Sequence, residues 1–198
     1  MRKIHLLVVL VLLPFFSFAQ EQPLDTSLKI TQGNKSIILN KKSNKITLKR
    51  DTFSIDYLNK SYLVGNGKFR AAQVLVTEDK LATKNYEGIS LQDLSFFSPG
   101  TGFAPAIDNN KNYPINSTKG HQYLFYASEK DKRVEKVGTS AEWDIYQWTI
   151  HGLYQNSELN DWKNLETKQI YIYFFIDYNL NQIIDKGEYH LIRIKFKN

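Results

Sequence analysis

Short runs in which apolar and polar residues alternate recur along this chain, each closed by turn-forming residues, and that pattern restricts it to sheet structure. Phe53, Ile55 and Tyr57 alternate with Ser54 and Asp56; Ile170, Ile172, Phe174 and Ile176, and later Ile192, Ile194 and Phe196, repeat the period of two. A strand of that period buries one face and wets the other. Strands are expected near Ser36–Leu39, Lys45–Lys49, Thr52–Tyr57, Phe69–Thr77, Gln122–Ala127, Glu142–Tyr154, Lys168–Ile176 and Tyr189–Lys197. Long amphipathic helical patterns are missing. One- or two-turn helical connectors are expected at Ser90–Phe96, where Ser90 and Asp93 have capping-box spacing, and at Leu159–Leu165, with Asn160 and Asp161 near its start. The chain therefore reads as all-β: a single antiparallel β-sandwich, jelly-roll or immunoglobulin-like, with short helical connectors.

Two segments break the simple pattern. From Trp143 to Tyr154 the inward parity switches between Ile145 and Tyr146, and a β-bulge there would restore one inward face. From Ser98 to Gly120 the chain collects Gly, Pro and the polar run Asp108 to Asn112, which predicts a long loop of the kind that often lines binding sites. Within it, Ser98-Pro99-Gly100-Thr101-Gly102 lacks the Lys-Ser/Thr ending of a phosphate-binding P-loop and reads as turn chemistry.

The N-terminus constrains the compartment. Arg2 and Lys3 precede an apolar run from Leu6 to Phe16, followed by Ser17-Phe18-Ala19, so cleavage after Ala19 is expected. The run is too short for a comfortable membrane span and no second one follows, so no span is expected after processing. The Ala19–Gln20 junction resembles export signals of the Bacteroidetes group of bacteria. Residues 1–19 are thus read as a signal peptide, 20–26 as a polar leader and 27–198 as the sandwich domain, in a protein that resides in the periplasm or outside the cell. The chain has no Cys, which removes disulfides, zinc–thiolate sites, cysteine nucleophiles and a lipid-modified cysteine anchor from consideration. Stability must come from packing, with room for a bound ion.

Twelve residues near the C-terminus carry the most specific chemistry. The segment from Asp177 to Glu188 has the EF-hand ligand spacing at positions 1, 3, 5, 7, 9 and 12. A loop that wraps one cation must turn alternate side-chain oxygens inward, present a carbonyl midway and close with a carboxylate able to bind through both oxygens. Asp177, Asn179 and Asn181 would supply side-chain oxygens, Ile183 its carbonyl, Asp185 a direct or water-bridged oxygen and Glu188 the closure. Three carboxylates and two amides suit a hard cation, Ca²⁺. Position 6 is Gln182 where Gly is usual, because the backbone there turns through positive φ; holding Gln in that region costs on the order of 1 kcal/mol and lowers affinity. Alternating apolar residues on both flanks place the loop between strands. In that setting it resembles the Ca²⁺ loops of bacterial surface β-sandwich modules, including the repeated B-type domains of serine-aspartate adhesins. The resemblance implies a structural ion that stiffens a hairpin; the alternative is a polar hairpin loop without an ion.

The net charge of +6 is unevenly placed: Lys29, Lys35, Lys41, Lys42, Lys45, Lys49 and Arg50 fall between Thr26 and Arg50 with no acid among them. Such a stripe attracts polyanions, but it lacks the interleaved aromatics of a nucleic-acid platform, so nucleic acid is not expected as a partner. Lysines guarding a sheet edge are the plainer reading. Among the aromatics, Trp162 stands in a polar connector between Asp161 and Lys163 and is expected to be exposed, where with Lys41 and Lys42 it would contact envelope polysaccharide. Trp143, Trp148 and the alternating tyrosines are expected in the core. His121, His151 and His190 show no zinc spacing, and His190 shares the parity of Ile192 and Ile194, which makes it a core histidine. No nucleophile elbow occurs, and a glycosidase carboxylate pair cannot be picked from twenty acids without geometry. The expected function is a non-enzymatic binding or envelope-associated protein; the rivals are a carbohydrate-active enzyme on the same scaffold and an inhibitor or immunity-type partner protein of the periplasm.

Overall fold

The computed structural model describes residues 26, 28–40, 42–78, 80, 85–94, 97–98, 104–105, 134–155 and 158–197. The expected signal peptide, Lys41, His121, the expected strand Gln122–Ala127 and most of the expected Ser98–Gly120 loop lie outside these residues. The described chain is an all-β sandwich. It carries no α-helix and no helix long and apolar enough to cross a membrane.

The strands, in chain order, are β1 (Leu28–Gln32), β2 (Lys35–Leu39), β3 (Ser43–Lys49), β4 (Phe53–Asn59), β5 (Ser61–Val64), β6 (Gly67–Arg70), β7 (Ala72–Thr77), β8 (Phe97–Ser98), β9 (Ala104–Pro105), β10 (Val134–Ser140), β11 (Trp143–Ile150), β12 (Gly152–Gln155), β13 (Glu158–Asp161), β14 (Gln169–Ile176) and β15 (Tyr189–Lys197). One sheet has the order β10-β11-β4-β1-β2 and the other β3-β15-β14-β7. The chain changes sheet between β2 and β3 and again between β3 and β4, so β2 and β3 become the edges of opposite sheets.

The expected antiparallel sandwich needs one correction. β3 runs parallel to β15, in a register that sets Ile46 beside Ile194 and Leu48 beside Phe196, so the second sheet is mixed. A parallel neighbour needs a long connection, and β3 and β15 are separated by most of the chain, a pairing that local pattern cannot reveal.

The two sheets meet through Ile30, Ile55 and Tyr57 on one side and Ile172, Phe174, Ile192 and Ile194 on the other. Tyr57 and Phe174 lie 5.5 Å apart between ring centroids. Sequence periodicity predicted this face. It did not predict that the opposite face of β14 is also covered: Tyr171, Tyr173 and Phe175 pack with Leu75, Tyr86, Leu91, Ile184 and Tyr189 in a second cluster. Segment 85–94, which includes a 3-10 turn at Leu91–Asp93, forms that cover. The consequence is a central strand dry on both sides, consistent with its nearly continuous apolar sequence.

Several expected boundaries shift. Phe69–Thr77 is two strands broken at Ala71, and β6 turns back to pair with β5 instead of joining the sheet of β7. Glu142–Tyr154 is broken at His151 into β11 and β12. The anticipated bulge lies opposite Ile145–Tyr146 on the partner strand, where the register slips between Lys136 and Gly138, while β11 runs unbroken against β4. Trp143 keeps its other parity because its ring packs on Tyr178, with centroids 5.5 Å apart. The helical connector at Leu159–Leu165 is reduced to a 3-10 turn, Trp162–Asn164, whose first turn is capped by the Asp161 carboxylate accepting from Lys163 N–H at 3.0 Å. Strands β1, β5, β8, β9, β10 and β13 were not expected from the sequence.

Candidate functional site

The loop from Asp177 to Glu188 joins β14 to β15, the two central strands of the second sheet. Both ends are anchored. The Asp177 N–H donates to the Ala71 carbonyl at 3.0 Å, and Ile176 N–H donates to the Glu188 carbonyl at 2.8 Å. The loop's midpoint is anchored as well. Leu91 N–H donates to the Gln182 carbonyl, Ile184 N–H to the Ile89 carbonyl and Gly88 N–H to the Ile184 carbonyl, all between 2.8 and 2.9 Å. Successive carbonyls of an extended segment alternate in direction, so this pairing leaves the Ile183 carbonyl on the side away from segment 88–91.

The backbone takes the turn that the ligand spacing calls for. Gln182, at position 6, has φ of 63°, the left-handed region where Gly was expected, and Leu180 has φ of 60°. What offsets the strain is visible in the hydrogen bonds. Gln182 N–H and Asn181 N–H both donate to the Asp177 carboxylate, at 2.9 and 3.0 Å. Charge-assisted bonds of this kind are among the stronger ones in proteins.

Asp177 and Glu188 are only 2% and 4% exposed. Glu188 accepts from the N–H groups of Tyr178 (2.6 Å) and Asn179 (3.3 Å) on one oxygen and from that of Asp185 (2.8 Å) on the other. Burial pushes its carboxyl above the usual carboxylate range; those three backbone donors pull it back, and the Asp177 charge raises it further. Asp185 Oδ2 accepts from the side-chain amides of Asn179 at 2.6 Å and Asn181 at 2.8 Å, so the positive ends of two amide dipoles converge on it. The amide oxygens meanwhile accept from the N–H groups of Asn181 and Ile183, at 3.2 and 2.7 Å.

All six sequence-predicted positions are thus brought into one loop, and its donor set is the hard-oxygen type that Ca²⁺ takes. Backbone donors draw the carboxylates inward, whereas the amides of Asn179 and Asn181 turn their nitrogens to Asp185, so ligation through their oxygens would require those amides to rotate. Among the described residues, however, no cluster of three or more His, Cys, Asp and Glu groups is close enough to hold a metal by those side chains alone. Amide and main-chain oxygens would have to complete any coordination.

Two contributors were missed in the sequence. Tyr62, on β5, donates its hydroxyl to Asp177 Oδ2 at 2.8 Å. Burial raises its phenol well above the ordinary range, and the bond to Asp177 and the charges of Asp177 and Glu188 add to that. The signal was the Gly65-Asn66 pair, a two-residue hairpin turn that folds β5 onto β6. The second is segment 85–94, where the capping-box spacing of Ser90 and Asp93 marked a helical connector but not a contact with the loop. Tyr62→Phe leaves Asp177 short of one donor in a buried setting and is expected to lower unfolding stability by about 1–3 kcal/mol, measured by urea denaturation without added metal.

Trp162 is a correction. It was expected to be exposed and is 0% exposed: its Nε1 donates to the Ile150 carbonyl at 3.1 Å and its ring lies 4.5 Å from that of Phe196 and 5.8 Å from that of Phe53. The polar residues around it face solvent on the 3-10 turn while the indole turns in, so it offers no ring to a sugar. Lys42 is exposed and bonds Glu87 Oε1 at 2.7 Å. Lys41 lies outside the described residues. Trp143 and Trp148 are buried as expected, as is His190, whereas His151 is exposed with Nδ1 3.2 Å from the Thr52 hydroxyl. Comparison with protein-family models, with curated protein sequences and with solved structures gave no match.

Proposed function

We propose that this chain is an exported, non-enzymatic binding protein of the periplasm or cell exterior, whose C-terminal hairpin is stiffened by Ca²⁺ bound to Asp177, Asn179, Asn181, the Ile183 carbonyl, Asp185 and Glu188. One observation carries the ion: Gln182 holds the positive φ of a cation loop without being Gly, with Asp177 and Glu188 turned inward beside it. Residence outside the cytoplasm rests on the charge, length and ending of residues 1–19. A partner-protein role gains over glycan binding, because Trp162 is in the core while Ile37 and Ile38 on the edge strand β2 are 38% and 64% exposed.

Ca²⁺ that binds the folded loop and not the unfolded chain adds about 2.7 kcal/mol of stability at a hundredfold excess over Kd. The melting temperature is therefore expected to rise with Ca²⁺ and to fall back with chelator. Glu188→Gln, which removes the closing charge, should abolish most of that rise, and Lys186→Gln on the exposed rim should not. A melt indifferent to both Ca²⁺ and chelator rules the site out.

A further inference from the structure

Where β2 and β3 form the two edges on one side of the sandwich, a groove of about 730 Å³ opens between the sheets. Ile30, Ile37 and Leu48 give it an apolar floor, and Lys35, Lys49 and Lys197 stand along it, with Asp51 as the acid present. The two edges are not equivalent. The end of β3 is capped by Gln32, whose side-chain amide accepts from Lys49 N–H at 2.8 Å and donates to the carbonyls of Lys49 at 3.1 Å and Asp51 at 3.2 Å. Among the described residues β2 pairs only with β1.

The hairpin fixes which groups β2 presents outward. Gly33, with φ of 56°, and Asn34 form a two-residue turn closed by Gln32 and Lys35. In such a hairpin the closing pair exchanges both hydrogen bonds, and bonded and non-bonded pairs then alternate. Ile30–Ile37 is accordingly a bonded pair, while Ser36 and Ile38 turn their N–H and C=O groups away from β1. Ile37 faces the groove, and Ile38 lies exposed on the other face. Apolar side chains beside an open row of backbone donors and acceptors are what natural edges usually avoid.

We propose that this open side is a docking groove for an extended acidic protein segment, which adds as a sixth strand beside β2 with its acidic side chains on the groove face, toward Lys35, Lys49 and Lys197, and the alternate apolar ones beside Ile38 on the other face. Strand addition of this kind draws affinity from main-chain bonds and selectivity from the alternate pockets. Charge decides the occupant. A second copy is disfavoured because its own β2 carries no acid and would bring the same lysines against these.

The inference rests on the binding-protein reading but not on the ion, so its test is separate from the Ca²⁺ melt. The probe is a fluorescent synthetic peptide, Glu-Val-Glu-Val-Glu-Val-Glu, followed by anisotropy, with its Lys-for-Glu counterpart, polyglutamate and polygalacturonate as comparisons. The Glu/Val peptide is expected to bind and the others to bind at least about tenfold more weakly, the scale of one lost hydrogen bond. Ile38→Pro removes an outward N–H without touching the bonds to β1 and should weaken the peptide about tenfold, whereas Ile38→Thr, which keeps that N–H, should weaken it less. Lys35→Glu with Lys49→Glu should also weaken it, by a factor that shrinks as salt is raised. If Ile38→Pro does not fold, Ile37→Glu, which puts a like charge in the groove, takes its place. No peptide binding at millimolar concentration, equal binding of polygalacturonate, or binding indifferent to the substitutions at Ile37 and Ile38 overturns the proposal. Such a failure beside an intact Ca²⁺ shift leaves the metal loop standing.

Discussion

Trp162→Ala is expected to lower unfolding stability by about 3–5 kcal/mol, the range for truncating a buried Trp, and to lower the melting temperature by on the order of 10 °C. The indole fills the space between Phe53 and Phe196 and satisfies the Ile150 carbonyl, so its removal leaves both a cavity and a buried acceptor without its donor. Trp162→Phe should recover much of the packing and leave the loss of the hydrogen bond. The same pair of variants bears on function. A Trp162→Ala protein that melts like the wild type but no longer adheres to a polysaccharide matrix would restore the exposed-ring reading; a large melt shift settles the residue as core.

Gly152→Ala is expected to cost at least about 3 kcal/mol, beyond the usual range for overpacking. A Cβ built on Gly152 would stand 1.9 Å from the Asn160 carbonyl oxygen and 2.8 Å from its carbon. Both are backbone atoms of β13, so no side chain can swing aside; the β12–β13 hairpin must separate. That hairpin leads directly into Trp162, and the damage should extend to the indole's pocket. Gly138→Ala is the comparison, since its Cβ would meet only Ile145 Cδ1 at 3.7 Å, an ordinary contact. Its effect should stay within about 1 kcal/mol by chemical denaturation. Equal stability of the two variants would mean that β12 and β13 do not approach as closely as described.

Ligand spacing was the most legible feature of the site. Asp177, Asn179, Asn181, Asp185 and Glu188 are near in sequence, so the oxygens proposed to hold a cation are encoded locally. The positive φ expected at position 6 occurs at Gln182 despite the missing Gly, because two N–H groups bonded to Asp177 hold that turn. Tyr62 and segment 85–94 left no comparable trace. They reach the loop from more than eighty residues away, and a single Tyr in a hairpin looks the same whether its hydroxyl meets water or a buried carboxylate.

For the sandwich as a whole, the sequence by itself determined that strands form, where β4, β14 and β15 run and which parity of each faces the core, since a period of two records a strand's faces in every successive residue. Only the tertiary structure decided that β14 is dry on its second face, that β3 lies parallel to β15, that Trp162 turns inward from a polar turn and that β2 keeps an open edge. Each of these depends on which distant segment arrives to cover or pair with a surface. Local alternation states what a strand can bury and leaves open what will bury it.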